Sequence, residues 1–129
     1  MKRLTLLPLA LAAVLMLPAQ AEKAAEKPED TFYWIGQINK ASLIINSEEG
    51  LLDKKFTQSF AQGLQHVLDS EGDGKRPQTV IAFEPYLIEA AGAEITRLHA
   101  GRSSQDMLSS ARFAMLRQDL LDLARALDS

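Results

Sequence analysis

The stretch FTQSFAQGLQHVL (residues 56–68) decides the fold class of this 129-residue chain. Its large apolar residues recur every three or four positions, at Phe56, Phe60, Leu64, Val67 and Leu68. This spacing places them on one face of an α-helix, whereas a half-buried strand would alternate apolar and polar residues. The stretch therefore predicts an amphipathic helix, which we place at residues 53–70, just before the loop EGDGKRP.

The same period appears upstream, over residues 31–49. Asp30 or Thr31 can act as the N-cap, and Gly50 supplies a C-terminal stop. The predicted buried face of this helix consists of Ile35, Ile38, Ala41 and Ile45.

Downstream, residues 78–91 predict a third helix that ends at Gly92. Its apolar face carries Val80, Phe83, Leu87, Ile88 and Ala91. Pro85 lies inside this segment, and proline removes a hydrogen-bond donor and clashes with the preceding turn. We therefore expect either a kink or a helix that begins near Glu84. The nearest strand candidate, TVIAF (residues 79–83), is short and lies in helical surroundings, so the sequence predicts an all-α domain over residues 31–129.

The last helix is predicted from Ser103 to the end of the sequence. Steps of three and four residues align an apolar seam, defined here as Phe113, Leu116, Leu120, Leu123 and Leu127. A seam of this heptad-like kind needs a partner surface. The sequence stops two residues after Leu127 without a cap, which is typical of a truncated domain. A small complete four-helix protein is the alternative.

The N-terminal segment has the three parts of a secretory signal peptide. Lys2 and Arg3 precede the uncharged run LTLLPLALAAVLMLP (residues 4–18), and Ala19-Gln20-Ala21 follows as a cleavage pattern. A membrane anchor is the alternative, but the run is shorter than the roughly 20 residues that span a bilayer. We predict a signal peptide at residues 1–21, cleavage after Ala21, a periplasmic or secreted product, and no membrane association after cleavage. Residues 22–30, EKAAEKPED, predict a flexible lead-in.

Composition excludes several classes of protein. Loss of Lys2 and Arg3 would take the formal charge from −3 to −5, which does not suit a nucleic-acid binder. The chain has two histidines and no cysteine, so neither a disulfide nor a structural zinc site is expected. We expect no metal and no other cofactor.

The stretch RLHAGRSSQDML (residues 97–108) precedes the last helix and combines a cation, hydroxyls, an amide and an acid. Ser103 and Asp106 form an S-x-x-D pattern, which predicts a helix cap without any ligand. A helix N-terminus is also a favourable place for a carboxylate. Arg102 is therefore either an ion-pair partner on the surface or an anion ligand.

Two blocks of the sequence resemble the N-terminal portion of argininosuccinate lyase, a member of the fumarase and aspartase superfamily. Members carry E-R-R-L-x-x-x-x-G, eight further residues, and then G-R-S-R-N-D preceded by L-H-T. The matching residues here are Glu84, Leu87, Gly92, Leu98, His99, Gly101, Arg102, Ser103 and Asp106. The segment INKASLIINSEEGLL resembles a second family block, with Asn39 at a serine position, Ala41 at the alanine, and Gly50-Leu51 closing it.

The resemblance implies that Arg102, Ser103, Ser104 and Gln105 bind the carboxylate-bearing part of a small substrate. Ser104 replaces a family arginine and Gln105 a family asparagine. Serine cannot replace the charge or the bidentate geometry of arginine, whereas glutamine keeps an amide. The S-Q-D run also resembles carboxymuconate cycloisomerases, so the substrate need not be argininosuccinate. Pro85 replaces a further family arginine.

The family chemistry is β-elimination to a fumarate-type product by a homotetramer built around a bundle of long helices. Its serine loop, its threonine-histidine pair and this central helix bundle are absent from the sequence. The resemblance therefore implies a substrate-positioning region without catalytic residues, inactive alone, from a protein that is a lyase when complete. A non-catalytic exported helical module that uses the apolar seam to bind a partner or itself is the alternative.

Overall fold

The computed structural model describes residues 27–128. It contains four α-helices, α1 (Thr31–Glu48), α2 (Lys54–Asp69), α3 (Val80–Ala91) and α4 (Ser104–Leu127), and a 3-10 helix at Ala93–His99 between α3 and α4. No strand occurs in this part of the chain, which confirms the all-α prediction. The predicted signal peptide, residues 1–21, and residues 22–26 of the lead-in lie outside the described residues.

Side-chain caps start each α-helix where the sequence supplies a short polar residue. Asp30 accepts a hydrogen bond from the N–H of Tyr33 at 3.1 Å and starts α1. Asp53 caps α2 and Thr79 caps α3. These side chains satisfy N–H groups that have no partner inside the helix, so the helix boundaries follow local chemistry.

The start of α3 differs from one of the two expectations. The helix does not begin near Glu84, because Thr79 accepts a hydrogen bond from Ala82 and caps it four residues earlier. Pro85 lies inside the helix. Val80 and Phe83, which precede the proline, are buried in the core, and this burial offsets the hydrogen bond that the proline cannot make.

The buried face of α1 also differs from the prediction. Phe32, Ile35 and Leu43 are buried as part of the hydrophobic core, but Ala41 and Ile45 are exposed. Asn39 and Asn46 are buried instead. The spacing of apolar residues does not indicate these two positions, and they are buried because Arg102 and the carbonyl of Leu98 form hydrogen bonds with Asn39 and Asn46.

The core lies where α2 packs between α1 and α3, and the 3-10 helix and the start of α4 close it. Its largest fully buried side chains come from every element and include Phe60, Phe83, Ile35, Leu52, Leu64, Leu87, Ile95, Leu98 and Met107. Gly63 of α2 allows close approach to α3, because a Cβ there would lie 2.6 Å from the Cβ of Ala91.

Residues 27–30, the described part of the lead-in, contact the loop between α2 and α3. Arg76 donates to Asp30 Oδ1 at 2.7 Å and to the carbonyl of Pro28 at 2.8 Å, and it pairs with Glu71 at 2.9 Å. Arg76 itself has φ +44°, a left-handed conformation that is costly for a side chain with a Cβ. The contacts to Asp30 hold the residue in this conformation.

Helix α4 runs antiparallel to α1 and extends past its start. Arg102, just before α4, contacts the middle of α1, whereas Met115 lies 3.8 Å from the hydroxyl of Thr31 at the beginning of α1. Residues 119–128 are all exposed. At 1.5 Å per residue, the twelve residues that follow Met115 extend about 18 Å along the helix axis. None of the helices among residues 27–128 is long and apolar enough to cross a membrane.

Candidate functional site at the junction of α1 and α4

The predicted site residues lie in the turn that leads from the 3-10 helix into α4. Gly92 has φ +81° and ends α3, and Gly101 has φ +75° and turns the chain into α4. Both positions need the left-handed region, which glycine adopts without a steric penalty. The two turns bring residues 99–106 across the middle of α1.

Ser103 and Asp106 form a reciprocal capping box. The N–H of Asp106 donates to Ser103 Oγ at 3.2 Å, and both the N–H and the hydroxyl of Ser103 donate to Asp106 Oδ2 at 2.8 Å. These bonds from Ser103 lower the pKa of the Asp106 carboxyl. The cap predicted from S-x-x-D is present, and it already occupies the hydroxyl of Ser103.

Arg102 turns inward and binds α1. Its Nη1 donates to the carbonyl of Ile38 at 3.2 Å and to the hydroxyl of Ser42, and its Nη2 donates to Asn39 Oδ1 at 2.5 Å. Burial lowers the pKa of Arg102 to about 10, so the guanidinium stays charged at neutral pH. Its Nε is buried without a hydrogen-bond partner. Within residues 27–128 Arg102 forms no ion pair, and its hydrogen bonds are to neutral groups of α1. Its role as an anion ligand stays a prediction.

A row of polar side chains on α1 forms hydrogen bonds with this junction. Asn39, Ser42 and Asn46 follow at steps of three and four residues, so they share one face of the helix. Asn46 Nδ2 donates to the carbonyl of Leu98 at 3.4 Å and anchors the 3-10 helix. The resemblance points to Asn39 alone, whereas Ser42 and Asn46 are indicated by a row of polar residues at helical spacing among apolar neighbours.

His99 is half-buried at the end of the 3-10 helix, and its Nε2 lies 3.6 Å from Glu84 Oε1 on α3. Burial and the positive charge of Arg102 lower the pKa of the His99 imidazole, and the carboxylate of Glu84 opposes this effect. The neutral imidazole is thus the favoured form at the junction.

Ser104 and Gln105 stand at the open side of the junction. Ser104 is half-buried and Gln105 is exposed. They are the first two residues of α4, so their N–H groups have no partner inside the helix. An anion that approached here would meet two N–H groups, one hydroxyl and one amide. The substrate-binding role of Arg102, Ser103, Ser104 and Gln105 stays a prediction.

Among residues 27–128, no three His, Asp or Glu side chains lie close enough together to hold a metal ion. No protein-family model, curated protein or solved structure matches the chain. The resemblance to the lyases therefore depends on the sequence blocks alone.

Proposed function

We propose that this chain is the N-terminal substrate-positioning region of an argininosuccinate-lyase-like elimination lyase. The contact between Asn39 and Arg102 carries the proposal. These residues belong to the two separate blocks that resemble the family, and their side chains lie 2.5 Å apart. Two blocks that serve one site should meet in space.

In this proposal the open side of the junction binds one carboxylate of the substrate. The N–H groups of Ser104 and Gln105 at the start of α4 donate to the carboxylate oxygens, and the helix dipole favours the negative charge. The Gln105 amide adds a donor on a longer arm. Arg102 positions this helix start on α1, and its buried charge makes the local potential more positive.

The chemistry itself belongs to the complete lyase. A base removes a proton next to a carboxylate, the aci-carboxylate that forms is stabilised, and an amine or similar group leaves with the electron pair of the broken bond. A fumarate-type product results, and no cofactor is needed. The proposal includes export to the periplasm or medium and a homotetrameric complete enzyme, while this chain alone is inactive.

Titration of the isotope-labelled chain with succinate or fumarate, followed by amide NMR shifts, tests the binding step. We expect saturable shifts at Ser104 and Gln105, and weaker binding in Ser104→Ala and Gln105→Ala. Ser110→Ala is the matched control, because Ser110 is an exposed serine in the second turn of the same helix. Shifts that are absent, or that acetate and chloride reproduce at equal concentration, would contradict the proposal.

A second function has separate support from the apolar seam. Its five residues are between 51% and 78% exposed, although four of them are leucines and one is phenylalanine. Leu116 and Leu120 line an open groove of about 320 Å³ with Phe113, Arg117 and Leu121. We propose on this ground an exported helical interaction module as the alternative function.

A further inference from the structure

The apolar seam lies on the side of α4 that faces away from the rest of the domain. Met107 and Ala111 are buried, and Met115 contacts α1, so these residues mark the inward side. In a heptad that assigns Phe113 to a and Leu116 to d, they occupy positions b, f and c, opposite the a and d positions of the seam. A second helix can therefore approach the seam without meeting α1 or α3.

We propose that the occupant of the seam is a second copy of this chain, with two α4 helices paired antiparallel over residues 116–127. The inference rests on the interaction-module function and not on the lyase proposal. A two-fold axis makes the contacts reciprocal. Leu116 faces Leu127 of the second copy, Leu120 faces its Leu123, and the same contacts repeat in reverse, which gives four layers of leucine.

The residues that flank the seam favour this register. Arg117 and Asp119 flank the first half of the paired segment, and Ala124 and Ala126 flank its second half, near the end of the helix. In the proposed pair Arg117 lies opposite Ala124 of the second copy, and Asp119 lies opposite its Ala126. Each charged side chain meets a small neutral residue, so the helices approach closely without like-charge contacts.

The competing registers bring like charges together. An antiparallel shift of one heptad, which pairs Leu116 with Leu120, places Arg117 opposite Arg117 and Asp119 opposite Asp119. A parallel pair places Arg112 next to Arg117 of the second copy. Like charges across a helix pair disfavour association and set the choice of register and orientation.

The position of the rest of each domain, that is, the part other than the end of α4, gives independent support. Gln118 lines a cavity with Lys27, Pro28 and Glu29, and residues 119–128 beyond it are all exposed. In the proposed register Gln118 of the second copy lies at the level of Arg125 of the first, so the rest of the second domain lies near and beyond the end of the first α4. The paired segment therefore consists mainly of exposed residues of α4.

Cysteine cross-linking distinguishes the registers, because the chain has no cysteine of its own. Under mild oxidation, an equimolar mixture of Arg117→Cys and Ala124→Cys should give a disulfide-linked pair, at least about tenfold faster than either variant alone. Rapid linkage of Arg117→Cys to itself would indicate the shifted register and overturn the proposal. Linkage that forms only when Arg112→Cys is mixed with Arg117→Cys would indicate a parallel pair, and it would also overturn the proposal.

Sedimentation equilibrium of the purified protein tests the pairing itself. We expect a concentration-dependent dimer whose dissociation constant rises at least about tenfold in Leu120→Asp, because a carboxylate would be buried unpaired in the central layer. Ile81→Asp is the matched control: Ile81 is 79% exposed on α3, away from the seam, and its replacement should leave dimerisation unchanged.

A monomer up to about 0.1 mM, a concentration that detects even weak self-association, would overturn the pairing. Equal weakening by Ile81→Asp would also overturn it, because the effect would then be unspecific. Photo-cross-linking from position 120 in the native extract distinguishes failure of the self-pairing proposal from failure of the interaction-module function. A different protein linked there would leave the module function standing without self-pairing, and no linked protein would remove both.

Discussion

Asn39 and Arg102 are 63 residues apart in the sequence, and the amide oxygen of Asn39 accepts a hydrogen bond from Arg102 Nη2 at 2.5 Å. This contact joins the middle of α1 to the start of α4. The guanidinium of Arg102 binds neutral groups, and its charge is partly buried. Its energetic role is therefore to form hydrogen bonds with polar atoms that water cannot reach.

Replacement of Arg102 by Ala should lower the free energy of unfolding by about 2 kcal/mol, since it leaves buried Asn39 without its partner. Lys should not restore the loss, because an ammonium cannot reach several acceptors with a planar fork. Urea denaturation measures both. Arg112→Ala, an exposed arginine on α4, is the control and should change little. The double variant Arg102→Met with Asn39→Leu should lose less than Arg102→Ala, because the buried amide of residue 39 is then not left without its partner; an equal loss would argue against this account.

Asp30 caps α1 and also binds Arg76, so its replacement should affect two elements. Burial alone would raise the pKa of the Asp30 carboxyl, but hydrogen bonds from Arg76, Tyr33 and Gln78 outweigh this effect and lower it. We expect Asp30→Ala to cost about 0.5–2 kcal/mol of stability, which is the usual range for a lost cap. Thermal unfolding measures the loss, with the neighbouring exposed Glu29→Ala as control. An unchanged melting temperature would show that the cap and the Arg76 contact contribute nothing.

His99 should make stability depend on pH. Burial and Arg102 lower its pKa in the folded state below 6.5, so the unfolded chain takes up a proton at a higher pH than the folded chain does. Stability is therefore full above the unfolded value and falls as pH drops below 6.5, by at most about 1.4 kcal/mol per pH unit for one proton. Denaturation curves between about pH 8 and pH 5.5 measure this slope. His99→Gln should remove it, whereas His66→Gln, at an exposed position on α2, should not.

Gly63 and Gly36 should respond differently to alanine. A Cβ at Gly63 would meet the Cβ of Ala91 at 2.6 Å and the backbone of Ala90 at 3.3 Å, which can move only if the helices separate. A Cβ at Gly36 would meet only the end of the Leu68 side chain, which can change rotamer. We expect Gly63→Ala to cost about 1–3 kcal/mol through overpacking.

The matched Gly36→Ala should be close to neutral, because the gain in helix propensity of about 1 kcal/mol offsets the shift of Leu68. Chemical denaturation of the two variants gives the comparison. If both variants lost the same stability, the close approach of α2 to α3 at Gly63 would not be the cause.

The resemblance placed Arg102 to Gln105 together, and the fold gave each side chain a different neighbour. Arg102 lies against α1, Ser103 is occupied by Asp106, and Gln105 is exposed. Adjacent residues at a helix start point in directions about 100° apart. A motif therefore does not determine which of its members face solvent.

Local patterns in the sequence determined the helices themselves. The spacing of Phe60, Leu64 and Val67 predicted α2, and the Ser103 and Asp106 pattern predicted the cap of α4, because both depend only on residues within two turns of each other. The tertiary structure alone decided that Asn39 and Asn46 are buried while Ile45 is exposed. The reason is physical: burial of a polar residue depends on whether a distant part of the chain brings a hydrogen-bond partner, and here Arg102 and the carbonyl of Leu98 do so.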